Sequence, residues 1–270
     1  MDLRDAVVVL TGASRGLGVF IAEDLARAGA HLVLSARSAG DLEATAAKVR
    51  EAGGQATVVP GDVSKPEDRE ALAAAAEALG PVRALINNAG IEIAKAVADQ
   101  SPSDIERQIA VNLTAPILLA RRLLPGMIAA GQGAIVTISS MSGKSATPWN
   151  GIYAATKHGI NGFTSSLRVE LAGTGVHASV VCPSFVADAG MWSDTGVKAP
   201  TMLREVTPQA VVAGVRKALA GAPEVLVTPG PIRPLLALAQ VFPGVDGWVM
   251  GKMGILDALK ARAEVVKGKG

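Results

Sequence analysis

The sequence predicts an α/β fold: a single doubly wound domain with a parallel sheet of about seven strands flanked by helices, followed by a helical C-terminal extension. Three observations predict it. Short β-branched runs alternate with Ala- and Leu-rich stretches of helical length, and the first run ends in a glycine turn that opens directly into a helix. No internal repeat, low-complexity segment or long Pro/Gly/Ser linker divides the chain. Strand then helix, repeated, means parallel β-α-β units covered on both faces, and right-handed crossovers wind the sheet both ways.

The elements follow in order. "AVVVLT" (6–11) reads as a strand, with a helix near 17–29; "HLVLSA" (31–36) is the second strand, with a helix near 40–52. "ATVVP" (56–60), a helix near 67–79 and "RALINNA" (83–89) come next, then a long helix near 103–130. "GAIVTISS" (133–140), a helix near 151–173 and "HASVVCP" (177–183) complete the regular part. Beyond it "PSFVADAGMWSDTGVKAP" looks like a loop, "TPQAVVAGVRKALAG" like a helix and "EVLVTPG" (224–230) like a last strand. "RPLLALAQVF" and "GKMGILDALKARAEVV" read as two apolar-faced helices, so the domain occupies 1–230 and its extension 231–270.

Composition narrows the function. The 270 residues are 49% hydrophobic with a net charge of +2, its signs dispersed, so no electrostatic footprint for nucleic acid is expected. Lys260, Lys267 and Lys269 read as a solvated tail. A single cysteine, Cys182, excludes an internal disulfide and reads as a small buried side chain. His31, His158 and His177 lack zinc-ligand spacing, so no metal is expected. Apolar stretches fall short of the roughly 20 residues a bilayer requires, and "MDLRDAVVVLTGAS" lacks a signal peptide's basic start. A soluble cytoplasmic protein is the expectation.

The turn "TGASRGLG" (11–18) carries Gly12, Ser14, Arg15, Gly16, Leu17 and Gly18 between strand and helix. Glycines let the backbone approach a pyrophosphate, and the helix N-terminus offers free N–H groups and a positive dipole end. A dinucleotide is the ligand these features suit, and the domain is then of Rossmann type. NAD-selective folds end the second strand in a carboxylate that binds the ribose. Here Ala36 and Arg37 stand there, which removes repulsion toward a 2′-phosphate and adds a fork of donors, with Arg15 as a second cation. NADP(H) is expected, with NAD(H) as the alternative.

"YAATK" (153–157) holds the only tyrosine of the chain, and Lys157 shares its face if the stretch is helical. With "TGASRGLG", "NNAG" (87–90) and a serine-rich strand end in this order, residues 6 to about 230 resemble the short-chain dehydrogenase/reductase (SDR) family. The resemblance implies Ser140, thirteen residues before the tyrosine, with Tyr153, Lys157 and Asn112 as the catalytic set. It also implies Asp62 and Val63 of "GDV", together with Asn88, Ala89, Gly90 and Pro183, in cofactor binding. After Pro183 the chain departs from the family: Ser184 replaces a glycine and Asp188 stands near an expected threonine. A phenol has a pKa near 10, so Lys157 and the positive ring of the oxidised cofactor are expected to favour its ionisation. The implied reaction moves a hydride from NADPH to a carbonyl while Tyr153 protonates the oxygen and Ser140 holds it. Lys157 would also hold the nicotinamide ribose, and Asn112 would support a water relay.

Phe185, Met191, Trp192 and Trp149 fall around the expected pocket mouth, which suggests a hydrophobic ketone, aldehyde or secondary alcohol; ordinary loop packing is the alternative. The extension suits a lid, a subunit interface or a lipid contact. A homo-oligomer, dimer or tetramer, is implied by the resemblance. A cofactor-binding regulatory or scaffold protein without turnover is the competing class, and a Cys182 nucleophile lacks a His-containing base motif nearby.

Overall fold

Seven strands lie side by side in the order β3-β2-β1-β4-β5-β6-β7, every neighbouring pair parallel. The structure, a computed structural model, describes residues 1–197, 199, 204–242 and 244–267. In chain order the elements are β1 (Val7–Thr11), α1 (Leu17–Arg27), β2 (His31–Ala36), α2 (Ala39–Glu51), β3 (Gln55–Pro60), α3 (Pro66–Glu77) and β4 (Val82–Asn87). They continue as α4 (Pro102–Ile109), α5 (Ala115–Ala129), β5 (Gly133–Ile138), α6 (Gly151–Glu170), β6 (Val176–Pro183), α7 (Pro208–Leu219) and β7 (Glu224–Val227). The extension is α8 (Arg233–Val241), α9 (Val245–Lys252) and α10 (Ile255–Lys267). This is the doubly wound, Rossmann-type sheet the alternation predicts.

Covered strands must be apolar on both faces, and β1 shows how one run serves two cores. Val8 and Leu10 pack with Ile21, Leu25, Leu34 and Val211 on one side of the sheet. Val7 and Val9 pack with Leu72, Leu119, Met127 and Ile135 on the other. Because β1 pairs with β2 on one edge and β4 on the other, the chain reverses direction across the sheet there. A crevice therefore opens beyond the carboxyl ends of β1 and β4.

Two details differ from the sequence expectation. The long helix near 103–130 is interrupted: α4 runs through a π turn, Ala110–Thr114, before α5. One extra residue per turn leaves the hydrophobic stripe almost intact, so periodicity does not show it. The extension forms three helices rather than two, with left-handed Gly244 (φ 104°) and Gly254 (φ 68°) at the breaks. Of the predicted loop, Lys198 and Pro200 lie outside the described residues, as does Lys269 of the predicted tail; Lys260 is exposed. Among the described residues no helix is long and apolar enough to cross a membrane.

The segment after β5 is pressed on α6 by one glycine. A β-carbon at Gly143 would lie 2.6 Å from both the Lys157 carbonyl oxygen and Asn161 Nδ2, and that amide donates to the Gly143 carbonyl at 2.8 Å. Gly143→Ala should therefore cost about 1–3 kcal/mol, as overpacking does, read as a lower urea midpoint.

Candidate active site

The glycine turn is built into the end of β4. Thr11 Oγ1 accepts from the amides of Asn88 (3.1 Å) and Ala89 (3.0 Å), while Asn88 Nδ2 donates to the carbonyls of Thr11 (3.0 Å) and Gly12 (2.9 Å). The approach leaves no room for side chains. A β-carbon on Gly12 would sit 2.7 Å from Ala89 Cα, and one on Gly18 would sit 2.1 Å from the Gly12 oxygen. Ser38, Ser101 and Thr207 cap their helices with side-chain oxygens, whereas Gly16 begins α1 with no side-chain hydrogen bond. The first amides of α1 face the crevice as an anion site.

From this turn one cavity of about 660 Å³ extends past Arg37, Asp62 and Val63 in one direction and to Ser140, Tyr153 and Lys157 in the other. Gly12, Ser14, Arg15, Gly16, Leu17, Asn88, Ala89, Gly90 and Pro183 also line it. Gly18 and Asn112 are not in its wall. Burial works against ionisation of Asp62, but hydrogen bonds from the Ser64 amide (2.9 Å) and hydroxyl (2.7 Å), with the charges of Arg37 and Lys65, hold the carboxyl below its usual range. Arg15 reaches Asp194, in the loop after β6, at 2.8 Å. Both partners are exposed, so this pair is weak and exchangeable.

Tyr153 and Lys157 share one face of α6, as their spacing predicts. Lys157 is buried; its Nζ donates to the Ile138 carbonyl at 2.9 Å and lies 5.4 Å from the Tyr153 ring centroid. Of the three serines after β5, Ser139 is buried and donates to the Lys157 carbonyl at 3.4 Å, while Ser140 accepts from the Ser142 amide at 3.1 Å and lines the same cavity as the phenol. Asn112, lifted by the π turn, holds the Ile91 backbone at both ends, accepting from its amide and donating to its carbonyl at 2.8 Å each. It also donates to Thr156 Oγ1 at 3.3 Å, and Thr156 donates to the Tyr153 carbonyl at 2.7 Å. Asn112 thus joins the β4 loop to α6, with both its amide hydrogens spent on the chain.

The expected lowering of the phenol is reversed here. Burial, and next the Glu92 carboxylate, raise the Tyr153 pKa; the Ser140 hydroxyl and Arg262 pull it back only in part. Burial also brings Lys157 down to about 8 against the opposing pull of Cys182 and Glu92. Spacing predicted the neighbour, but desolvation wins over a cation placed above the ring rather than at its oxygen. Cys182 is buried, its thiol pushed up to about 11 by desolvation first, which suits a packing residue and not a nucleophile.

Beyond Tyr153 the cavity has a wall from the extension, whose individual residues no motif marked. Phe185, Met191 and Trp192 line the cavity as expected, but Trp149 does not, and Asp188 is exposed outside it. Leu235, Leu236, Val249, Met250, Ile255 and Leu259 of α8–α10 do. Glu92, Asn150 and Arg262 add polar groups from three distant segments. The available signal was one arginine on the apolar stripe of α10, whose partner lies 170 residues away.

Comparison with known proteins gives concordant matches. A family profile described as short chain dehydrogenase matches residues 6–198. Over 269 residues the chain is 41% identical to ketoacyl reductase HetN of Nostoc sp., covering 97% of this chain and 94% of that one. Over 181 residues it is 35% identical to a D-beta-hydroxybutyrate dehydrogenase of Rhizobium meliloti, covering 66% and 70%. A solved metagenomic short-chain oxidoreductase (SDR) in complex with NADP aligns with a TM-score of 0.73 and 34% identity, over 86% of this chain and 100% of that one.

The depressed Lys157 gives a signed test. Between pH 8 and 10.5 the unfolded chain keeps a proton that the folded chain has released, so this group adds stability as pH rises through that window and nothing below it. Urea unfolding should show the wild type gaining up to about 3 kcal/mol relative to Lys157→Met across the window.

Proposed function

The chain belongs to the short-chain dehydrogenase/reductase family, whose members act on CH–OH or C=O groups with NAD(P), and from that premise we propose an NADP(H)-dependent reductase of carbonyls borne on apolar substrates, of the ketoacyl kind. One observation carries the proposal. A single cavity joins the glycine turn to Tyr153 and continues beneath the apolar faces of α8–α10. The Nostoc relative, whose match spans the extension, is named a ketoacyl reductase, which supports the substrate class.

The residues present suit the cofactor. Gly12 and Gly18 clear space that a β-carbon would fill, and α1 begins without a side-chain cap. Ser184, beside Pro183 in the cavity wall, has a buried hydroxyl without a partner among the described residues. In this reading the turn from Gly12 to Gly18 holds the pyrophosphate, Asp62 and Val63 flank the adenine, and Asn88 to Gly90 border the ribose side. Lys157 holds the nicotinamide ribose, while Pro183 and Ser184 meet the carboxamide. Arg37, next to Ala36 and without a strand-end carboxylate, faces the 2′-phosphate, with Arg15 available on exchange from Asp194; the solved relative bound to NADP supports the preference.

When bound, the cofactor supplies the hydride. Ser140 donates to the carbonyl oxygen, and Tyr153 gives it the proton as charge develops. Lys157, held at the Ile138 carbonyl, keeps a donor next to the phenol. The apolar walls exclude water from the reacting oxygen, and the homo-oligomer suggested by the resemblance belongs to the same proposal.

Tyr153→Phe should lower kcat by about 10²- to 10⁴-fold, while NADPH binding, followed by fluorescence, persists. Near-normal turnover on a good carbonyl substrate would remove the phenol from the chemistry. Arg37→Leu should erase the preference for NADPH over NADH in kcat/KM, mostly by weakening NADPH. A wild type faster with NADH at matched concentrations would overturn the cofactor choice.

A further inference from the structure

One buried pair of opposite charges lies in the cavity wall outside the proposed chemistry. The side chains of Arg262, on α10, and Glu92, on the segment after β4, are only 6% and 7% exposed. Both amino groups of the guanidinium donate to the carboxylate, Nη2 to Oε2 at 2.5 Å, and Asn150 Nδ2 donates to it from the start of α6. Arg262 Nη2 also donates to the Met191 carbonyl at 3.1 Å, and its Cζ lies 5.3 Å from the Trp192 ring centroid. One arginine therefore ties together the β4 loop, the loop after β6 and the extension.

The position of the pair matters. Leu259, Arg262 and Ala263 are the buried stripe of α10, spaced i, i+3 and i+4, so the charge sits at the centre of the anchoring face. α8 has no fully buried residue of its own. An apolar residue at 262 would supply adhesion without desolvating two charges; a hydrogen-bonded pair supplies register and orientation instead.

We propose that the Glu92–Arg262 pair is a latch that fixes the C-terminal extension over the cleft beside Tyr153, making Arg262 a positioning residue that sets which substrates the apolar wall accepts. Carbonyl compounds with an apolar arm long enough to reach Leu235, Leu236 and Val249 lean on that wall, while small ketones do not. The substrate arm rests on the reductase reading, and the attachment of the extension does not.

Both partners also act on the phenol, in opposite senses. Around Tyr153 stand Lys157 and Ser140, Cys182 of β6, the Glu92 carboxylate and the Arg262 guanidinium. Loss of the Glu92 charge favours ionisation of the phenol, and loss of the Arg262 charge disfavours it. A general folding defect would not separate the two.

The test uses Glu92→Gln, Arg262→Met and the double variant of the full chain. Amide hydrogen exchange over 255–267 should quicken about tenfold or more in each single variant and not multiply in the double, because both act through one contact. KM for a long-chain ketone should rise about tenfold relative to a short ketone in each single variant. The alkaline fall of the reduction rate should move to lower pH in Glu92→Gln and not in Arg262→Met. Unchanged exchange in both single variants, a KM change shared equally by long and short ketones, or the same downward pH movement in both would overturn the latch. If the wild type reduces no carbonyl, the reductase reading fails, and hydrogen exchange still decides the latch.

Discussion

An ammonium and a phenol buried together, with one carbonyl as the fixed partner of the ammonium, is the constraint on which the site depends. Lys157 has its Nζ on Ile138 at 2.9 Å and its stem inside the fold, so α6 must lie at a set depth against the end of β5. Gly143 allows that depth, Asn161 and Ser139 bind the two segments across it, and Asn112 secures α6 from the other side through Thr156. The same burial shifts both groups toward their neutral forms, since a low dielectric penalises either charge.

Much of this was legible in the sequence because it is local. A β-branched run ending in glycine declares both the covered strand and the turn after it, and the i, i+4 spacing of Tyr153 and Lys157 places both on one helix face whatever the rest of the chain does. What local patterns cannot carry is distance and burial. The π turn at Asn112 adds one residue to a helical stripe without breaking its apolar face. The direction of the phenol shift depends on how deeply Tyr153 is buried and on Glu92, a residue no motif includes. Trp149 looked like pocket lining because it precedes α6 in sequence, but, with a left-handed backbone at φ 58°, it stays out of the cavity wall that its neighbours Thr147 and Asn150 line.

The two ends of the cavity are made by different kinds of structure. At the glycine turn, backbone atoms of the sheet's crevice are brought close by glycines, and Asn88 and Thr11 hold the turn to β4. At the opposite end, side chains of three helices supply the surface, and α8 and α9 keep Leu238, Val241 and Trp248 exposed.

That division explains why a charge pair rather than more hydrophobic surface joins the extension to the domain. An extension that lines the cavity with its apolar residues cannot spend all of them on adhesion, and a greasy anchor alone would let α10 slide by a turn with little penalty. A buried guanidinium accepts only positions in which its fork meets a carboxylate, since a misplaced α10 would leave two charges desolvated and unpaired. Glu92 is itself positioned next to the Ile91 backbone that Asn112 clamps, so the register of the wall is referred back to the element that carries Tyr153. The apolar wall of the cavity and the position of Tyr153 are in this way set by one connected frame.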